Sequence, residues 1–227
     1  MKTQSIFIAG TDTGIGKTIV TGLMAGFFLR CGYKTITQKW VQTGTESDID
    51  AHVRLMGRDR KNSVKYISLT CPYHFHLPSS PHLAAFIEKK AIIKEKIKQR
   101  FLSLEKTFDI VIVEATGGVL VPLSESLLMI DVVKELSIPA VLVAGNRLGA
   151  VNHTLLSIEA LKKRKIRILG IIFNNLDKKT DPRILEDNPV IIEKITGEKI
   201  LGVLPYTKDV NLLYGEFISI GNKLISR

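Results

Sequence analysis

The stretch Ile6-Phe7-Ile8-Ala9-Gly10-Thr11-Asp12-Thr13-Gly14-Ile15-Gly16-Lys17-Thr18 decides how this chain folds. Its apolar opening is a buried strand, its glycines make a tight loop, and Lys17 and Thr18 open a helix. Successive backbone N–H groups of such a loop point into one concavity, and the helix N-terminus adds partial positive charge to it. A polyphosphate is the natural occupant, with Lys17 reaching the β- and γ-phosphates and the Thr18 hydroxyl placed for Mg²⁺. The spacing departs from the standard pattern at one point. Counting back from Gly16-Lys17-Thr18, glycine is wanted at position 11, where the chain has Thr11, and the glycine stands one place earlier at Gly10.

The 227 residues outward from this loop suit one domain with a full core. Apolar residues make up 45% and charged residues 24%, the balance of a soluble globular protein. No run of about 18 apolar residues occurs, so no membrane span is expected. A secretory leader would have to overlap the first strand and loop, so a cytoplasmic location is expected. Cys31 and Cys71 have no metal-type spacing and read as reduced packing or loop residues. The net charge of +10 is spread through helical stretches such as Lys94-Glu95-Lys96-Ile97-Lys98 and Lys162-Lys163-Arg164-Lys165. No aromatic residues interleave these runs. They read as solvated surface, with attraction for small anions rather than nucleic acid or membrane.

Strand and helix signals alternate along the chain. After a first strand at 4–9 and a helix from Thr18 to Arg30, a β-branched run from Lys34 to Val41 leaves Lys39 near its carboxyl end. A short helix follows from Ser47 to Arg54, with Asp50 in its first turn. Residues 58–82 read as a long ordered excursion, and 83–106 as one or two basic amphipathic helices. Phe108–Glu114 is a continuous apolar run ending in a carboxylate. Helix 126–136, strand 138–145, helix 152–163, strand 166–173, helix 188–196, strand 200–204 and a terminal helix from 211 complete the pattern. The expected fold is α/β: one domain over 1–227, a doubly wound and mostly parallel sheet flanked by helices. Ligands of such sheets lie at the carboxyl ends of the strands. That rim collects Lys17 and Thr18, Lys39 and Thr43, Glu114, then Gly145 to Asn152, and Asn174-Asn175. A carboxylate ending an apolar strand opposite a phosphate loop is the arrangement that positions Mg²⁺.

The loop Gly10–Thr18 resembles the phosphate loop of dethiobiotin synthetases, ATP-dependent enzymes of biotin biosynthesis with a P-loop NTPase fold. The resemblance includes the displaced glycine. It continues through Lys39–Gly44, Ser79-Ser80-Pro81-His82, Val113–Gly118, Gly145–His153, Asn174 and Leu201–Tyr206, in order and over most of the chain. Trp40 stands where the family usually has proline, Thr43 where serine is usual, and Ala115-Thr116 where Gly-Ala is common.

The resemblance implies that 7,8-diaminononanoate takes up CO₂ as a carbamate, which ATP phosphorylates to a mixed anhydride. The second amine then closes a cyclic urea, releasing ADP and phosphate. Lys39, Lys17 and Thr13 would be catalytic, and Thr13, Lys39, Thr43, Gly149 and Asn152 would meet substrate. ATP would lie along Gly14, Ile15, Gly16, Lys17, Thr18 and Ile19, beside Asp50, Glu114, Ala115, Thr116 and Gly117. Asn174 and Asn175, with Pro205, Tyr206 and Thr207, would hold its base. Thr18, Asp50 and Glu114 would hold Mg²⁺, and Gly149–Asn152 would act across a homodimer interface. His52, His74 and His76 show no ligand pattern, and His82 and His153 read as structural.

Two alternatives share the loop. Amide-forming ligases of the same ATPase group carry a glutaminase domain that this length does not house. Partition or septum-positioning ATPases, which bind DNA or membrane, have a second lysine near the loop's start, where this chain has Thr11.

Overall fold

The computed structural model describes residues 4–59 and 66–225. Its centre is a six-stranded sheet in the order β10-β9-β8-β1-β5-β2, every neighbouring pair parallel. The strands are β1 (Gln4–Gly10), β2 (Thr35–Lys39), β5 (Ile110–Glu114), β8 (Ala140–Asn146), β9 (Ile168–Asn175) and β10 (Ile200–Leu204). Side chains alternate between the two faces of each strand. Phe7, Ala9, Val111, Val113, Leu142 and Ala144 therefore enter one core. Ile6, Ile8, Ile110, Ile112, Val141 and Val143 enter the other. With both faces covered, the central strands β5 and β8 lack the polar alternation of a half-exposed sheet and read as nearly unbroken apolar runs.

Helices α1 (Lys17–Arg30), α2 (Asp48–Leu55) and α9 (Val210–Ile225) lie on the second core. Helices α5 (Lys94–Glu105), α6 (Met129–Glu135), α7 (Ala150–Lys163) and α8 (Pro182–Thr196) flank the first. The expected excursion at 58–82 contains α3 (Ile67–Thr70) and β4 (Tyr73–Phe75), while its residues 60–65 lie outside the described residues. Strand β4 pairs with β3 (Val41–Thr43) in a separate parallel ladder, so the run expected to end at Val41 divides between two sheets. The basic region resolves into α4 (Pro81–Ile87) and α5, and a small hairpin, β6 (Pro122–Ser124) with β7 (Leu127–Leu128), precedes α6.

Helix α8 begins six residues before the expected 188. Pro182 occupies its first position, and the Asp181 side chain accepts from the Arg183 N–H at 2.9 Å. Pro189 sits inside the helix and has no N–H to give the Leu185 carbonyl. Asn146 Nδ2 donates to that carbonyl at 3.0 Å instead, which removes the penalty that the sequence pattern alone suggests.

Trp40 belongs to the core, not to the rim. Its ring is fully buried, 6.0 Å from Phe7 and 6.4 Å from Phe101, and its indole N–H donates to Gln38 Oε1 at 2.8 Å. The residue that replaces the family's usual proline thus packs behind Lys39. Trp40→Ala is expected to destabilise the fold by about 3–5 kcal/mol in urea unfolding, the cost of an aromatic cavity.

Candidate active site at the carboxyl rim of the sheet

The loop between β1 and α1 turns on Gly14 (φ 69°) and Gly16 (φ 92°), backbone states that L side chains rarely adopt. Gly16 is constrained twice, because a Cβ there would lie 2.2 Å from Asn174 Nδ2. The displaced glycine also has a steric reason. A Cβ at Gly10 would lie 2.6 Å from Lys17 Cδ, so the bare Cα lets the lysine fold back over the strand end. Lys17 Nζ then donates to the Asp12 carbonyl at 2.5 Å. Burial, and next the nearby charge of Lys39, lower the Lys17 pKa to about 8.

Strand β5 delivers Glu114 beside this loop, and β2 delivers Lys39 level with it in register. Lys39 Nζ donates to Glu114 Oε1 at 2.7 Å and to the Ala115 carbonyl at 3.2 Å, and lies 2.7 Å from Asp48 Oδ2. The Thr18 hydroxyl is 3.1 Å from Glu114 Oε1 and 3.2 Å from Asp48 Oδ1. Both Lys39 and Glu114 are buried. Burial alone would raise the carboxyl, but Lys39 and His52 outweigh it and hold Glu114 at about 2. Burial likewise opposes the Lys39 charge, and Glu114 and Asp48 overcome it and raise the ammonium above its ordinary value.

One expected residue is displaced. The carboxylate brought to Thr18 and Lys39 is that of Asp48, not Asp50. Positions two apart on a helix point to different sides, so α2 can turn only one of the two toward α1 and β5. Ser47 Oγ accepts from the Asp50 N–H at 3.2 Å, which starts the helix at Asp48. His52, one turn beyond Asp48, is also on this face, and its Nε2 lies 2.5 Å from Glu114 Oε2. The spacing Asp48-x-x-x-His52, three residues of sequence between two groups on one helical face, was the available signal for both.

The other expected residues fall as follows. Ala115 N–H donates to the Ile8 carbonyl at 3.0 Å, and the Thr116 hydroxyl donates to the Val41 carbonyl, tying the Glu114–Gly118 loop across β1 and β3. Gly117 (φ 70°) turns that loop back toward Thr13, whose Cγ2 a Cβ there would meet at 3.7 Å. Thr13 itself is exposed, and Thr43 is half-buried at the end of β3. Ile15 is buried between the loop and Gly145, and Ile19 packs against the second core. Asn174 Nδ2 donates to the Ile15 carbonyl at 2.9 Å, while Asn175 accepts from Asn146 and so faces α8. Pro205, Tyr206 and Thr207 follow β10, whose Leu204 is in register with Asn174. Gly149 (φ 84°) caps α7, and Asn152 is exposed on its first turn, remote in contact from the Lys39–Glu114 cluster. A surface cleft of about 480 Å³ lined by Thr11, Asp12, Gly118, Leu120, His153 and Leu156 runs between the phosphate loop and α7. A cavity of about 630 Å³ at the other end of the sheet, lined by Gln4, Glu105 and Arg167 among others, holds none of these residues.

The donor set suits Mg²⁺. Two carboxylates and a hydroxyl are hard oxygen ligands, too few for an all-protein cage and right for an ion completed by phosphates and water. Among the described residues no cluster of three or more His, Cys, Asp or Glu groups stands ready as a metal site. The Lys39 ammonium, already seated between the two carboxylates, shows that their geometry accepts a cation.

Parallel sheet, glycine-turned loop, buried lysine and carboxylate-ended β5 define a P-loop nucleotide-binding protein. A family model described as an AAA domain matches residues 4–212. The ATP-dependent dethiobiotin synthetase of Chlorobaculum tepidum is 45% identical over 85% of this chain and 81% of its own length. That of Halalkalibacterium halodurans is 36% identical over 94% and 89%. This chain belongs to the dethiobiotin synthetase family. Among solved structures, the septum site-determining protein MinD of Pyrococcus horikoshii has a TM-score of 0.64, covering 98% of this chain and 96% of its own. At 16% identity that likeness concerns the fold alone.

Gly16→Ala combines backbone strain with a collision on Asn174, whereas Gly14→Ala adds strain only. Calorimetric titration with ADP should show affinity falling by roughly tenfold or more for Gly16→Ala and by less for Gly14→Ala.

Proposed function

We propose that this chain is a cyclo-ligase that uses ATP to carboxylate 7,8-diaminononanoate and close it to dethiobiotin. The observation that carries the reading is the buried Lys39 ammonium, 2.7 Å from both Glu114 and Asp48 and next to Lys17. A site that only grips a triphosphate has Lys17 for that purpose. A second buried cation beside it suits a reaction in which two anions must approach.

The chemistry proceeds in three steps. One amine of the substrate attacks CO₂ and loses a proton, giving a carbamate. A carbamate oxygen attacks the γ-phosphorus, the bond to the β-bridging oxygen breaks, and ADP leaves. The second amine attacks the carbonyl carbon of the mixed anhydride, and phosphate departs as the urea ring closes. Lys17 and Lys39 lower the repulsion between carbamate and γ-phosphate and follow charge onto the transferring group. The N–H groups of Gly14 to Ile19 cradle the phosphates at the start of α1. Thr13 and Thr43 donate hydrogen bonds to the carbamate or orient an amine. Thr18, Asp48 and Glu114 would hold Mg²⁺, which would neutralise charge on the triphosphate as it reacts. With Asn174 Nδ2 committed to the Ile15 carbonyl, its Oδ1 is the atom left to accept from the adenine amino group. Pro205, Tyr206 and Thr207 would flank the base.

The substrate is placed in the cleft between the phosphate loop and α7. Leu156 and Leu120 line it, 57% and 53% exposed, and this apolar rim favours a second copy that brings Gly149 and Asn152 to the diamine. Neither nucleic acid nor membrane is assigned as a partner, and among the described residues no helix is long and apolar enough to cross a membrane. A cytoplasmic setting suits the free cysteines Cys31 and Cys71.

With Mg²⁺-ATP and bicarbonate, ADP release is expected to require the diamine and to yield a cyclic urea by mass. Lys39→Ala should lower the rate by about 10²–10³-fold. Release indifferent to the diamine but stimulated by DNA or lipid vesicles would replace the ligase with a nucleotide switch. A second comparison separates the two acids of α2. Asp48→Asn should raise the Mg²⁺ concentration for half-maximal rate by roughly tenfold or more, and Asp50→Asn should change it by less than about twofold.

A further inference from the structure

His52 is fully buried, and the family resemblance assigns it nothing. Its setting is built rather than incidental. Helix α2 lies against α1 at two glycines: a Cβ at Gly22 would be 2.6 Å from Leu55 Cβ, and one at Gly26 would be 3.2 Å from the Leu55 carbonyl. Only bare α-carbons on α1 allow this approach, and the approach seats the His52 ring against β5. There Nε2 lies 2.5 Å from Glu114 Oε2. Glu114 is ionised and can only accept, so Nε2 carries the hydrogen. The other ring nitrogen, Nδ1, is buried with no hydrogen-bond partner.

A leucine of similar bulk would fill the space without an unpartnered buried nitrogen, which by itself disfavours the fold. The compensation is at Glu114. Its two oxygens are divided: Oε2 belongs to His52, and Oε1 alone faces the Thr18 hydroxyl and Lys39. Asp48, on the same face of α2 as His52, completes the set.

We infer that His52 is a positioning residue for the divalent cation, locking the Glu114 carboxylate so that it offers one oxygen, Oε1, alongside Thr18 and Asp48. The inference rests on the Mg²⁺-nucleotide reading of this site. A hydrogen-bonded partner behind a ligating group typically contributes 10–100-fold in metal affinity, here through rotamer and charge rather than contact with the ion.

The test uses Mn²⁺ as probe, its free concentration read by electron paramagnetic resonance on the full-length protein with saturating ADP. His52→Leu is expected to weaken Mn²⁺ binding by about 10–100-fold. ADP affinity measured in EDTA should stay within about twofold, and the melting temperature should fall only by what Glu114 Oε2 loses with its buried donor, leaving the protein folded at the assay temperature. His52→Gln places an amide N–H near the position of Nε2 and should restore Mn²⁺ affinity to within about threefold of wild type. His52→Met, an unbranched filler, should behave as His52→Leu and serves in its place if the leucine variant does not fold.

Wild-type Mn²⁺ affinity in the leucine or methionine variant would overturn the inference. So would equal losses in the glutamine and apolar variants, or a parallel loss of ADP affinity in EDTA, which would mark a structural role. A wild-type protein that binds ADP yet takes up no Mn²⁺ would instead remove the metal reading beneath it.

Discussion

The buried ion pair between Lys39 and Glu114 is the constraint on which this structure turns. Each charge is expensive to bury alone. Held 2.7 Å apart, each keeps the other ionised, and Asp48, Thr18 and His52 satisfy the groups that remain. The pair requires β2 and β5 to be neighbours in register, with Lys39 opposite Glu114. It also requires α2 to descend close enough to α1 to bring Asp48 and His52 inward, which the bare faces of Gly22 and Gly26 permit. Charge at the rim and close packing behind it are one requirement.

The phosphate loop is governed by the same economy of space. Gly10 is bare so that Lys17 can cross it, Gly16 so that Asn174 can touch the loop, and Gly145 so that Ile15 can seat above β8. The shift of the first glycine from position 11 to position 10 thus follows the path of one lysine side chain. The loop, the β5 end and the Asn174 wall converge because β1 lies between β8 and β5 in the sheet, with β9 next to β8.

Most of this was legible in the sequence because it depends on local pattern. Continuous apolar runs announced buried parallel strands, and glycine followed by Lys-Thr announced the loop. The parts that were not legible depend on direction in space. Asp48 and Asp50 stand two apart in one helix, and only the packing of α2 decides which of them turns inward. His52 carried no motif, since its partner Glu114 is 62 residues away and on another element. Trp40, where the family usually has proline, directly follows Lys39, yet only the packing shows that its ring leaves the rim and stands against Phe7 and Phe101. The early start of α8 was hidden by Pro189, whose missing N–H is replaced by the amide of Asn146.

The likeness to MinD concerns architecture alone, and function has to be argued from the site. In the proposed function the second buried cation at the rim, Lys39, meets an anion other than the triphosphate. The most direct test of that claim follows an atom. With ¹⁸O-labelled CO₂, the diamine and ATP, a carbamate oxygen that attacks the γ-phosphorus must leave on phosphate when the ring closes. Released phosphate should therefore carry one ¹⁸O from CO₂ by mass spectrometry. Phosphate that acquires its fourth oxygen from water instead would contradict the account.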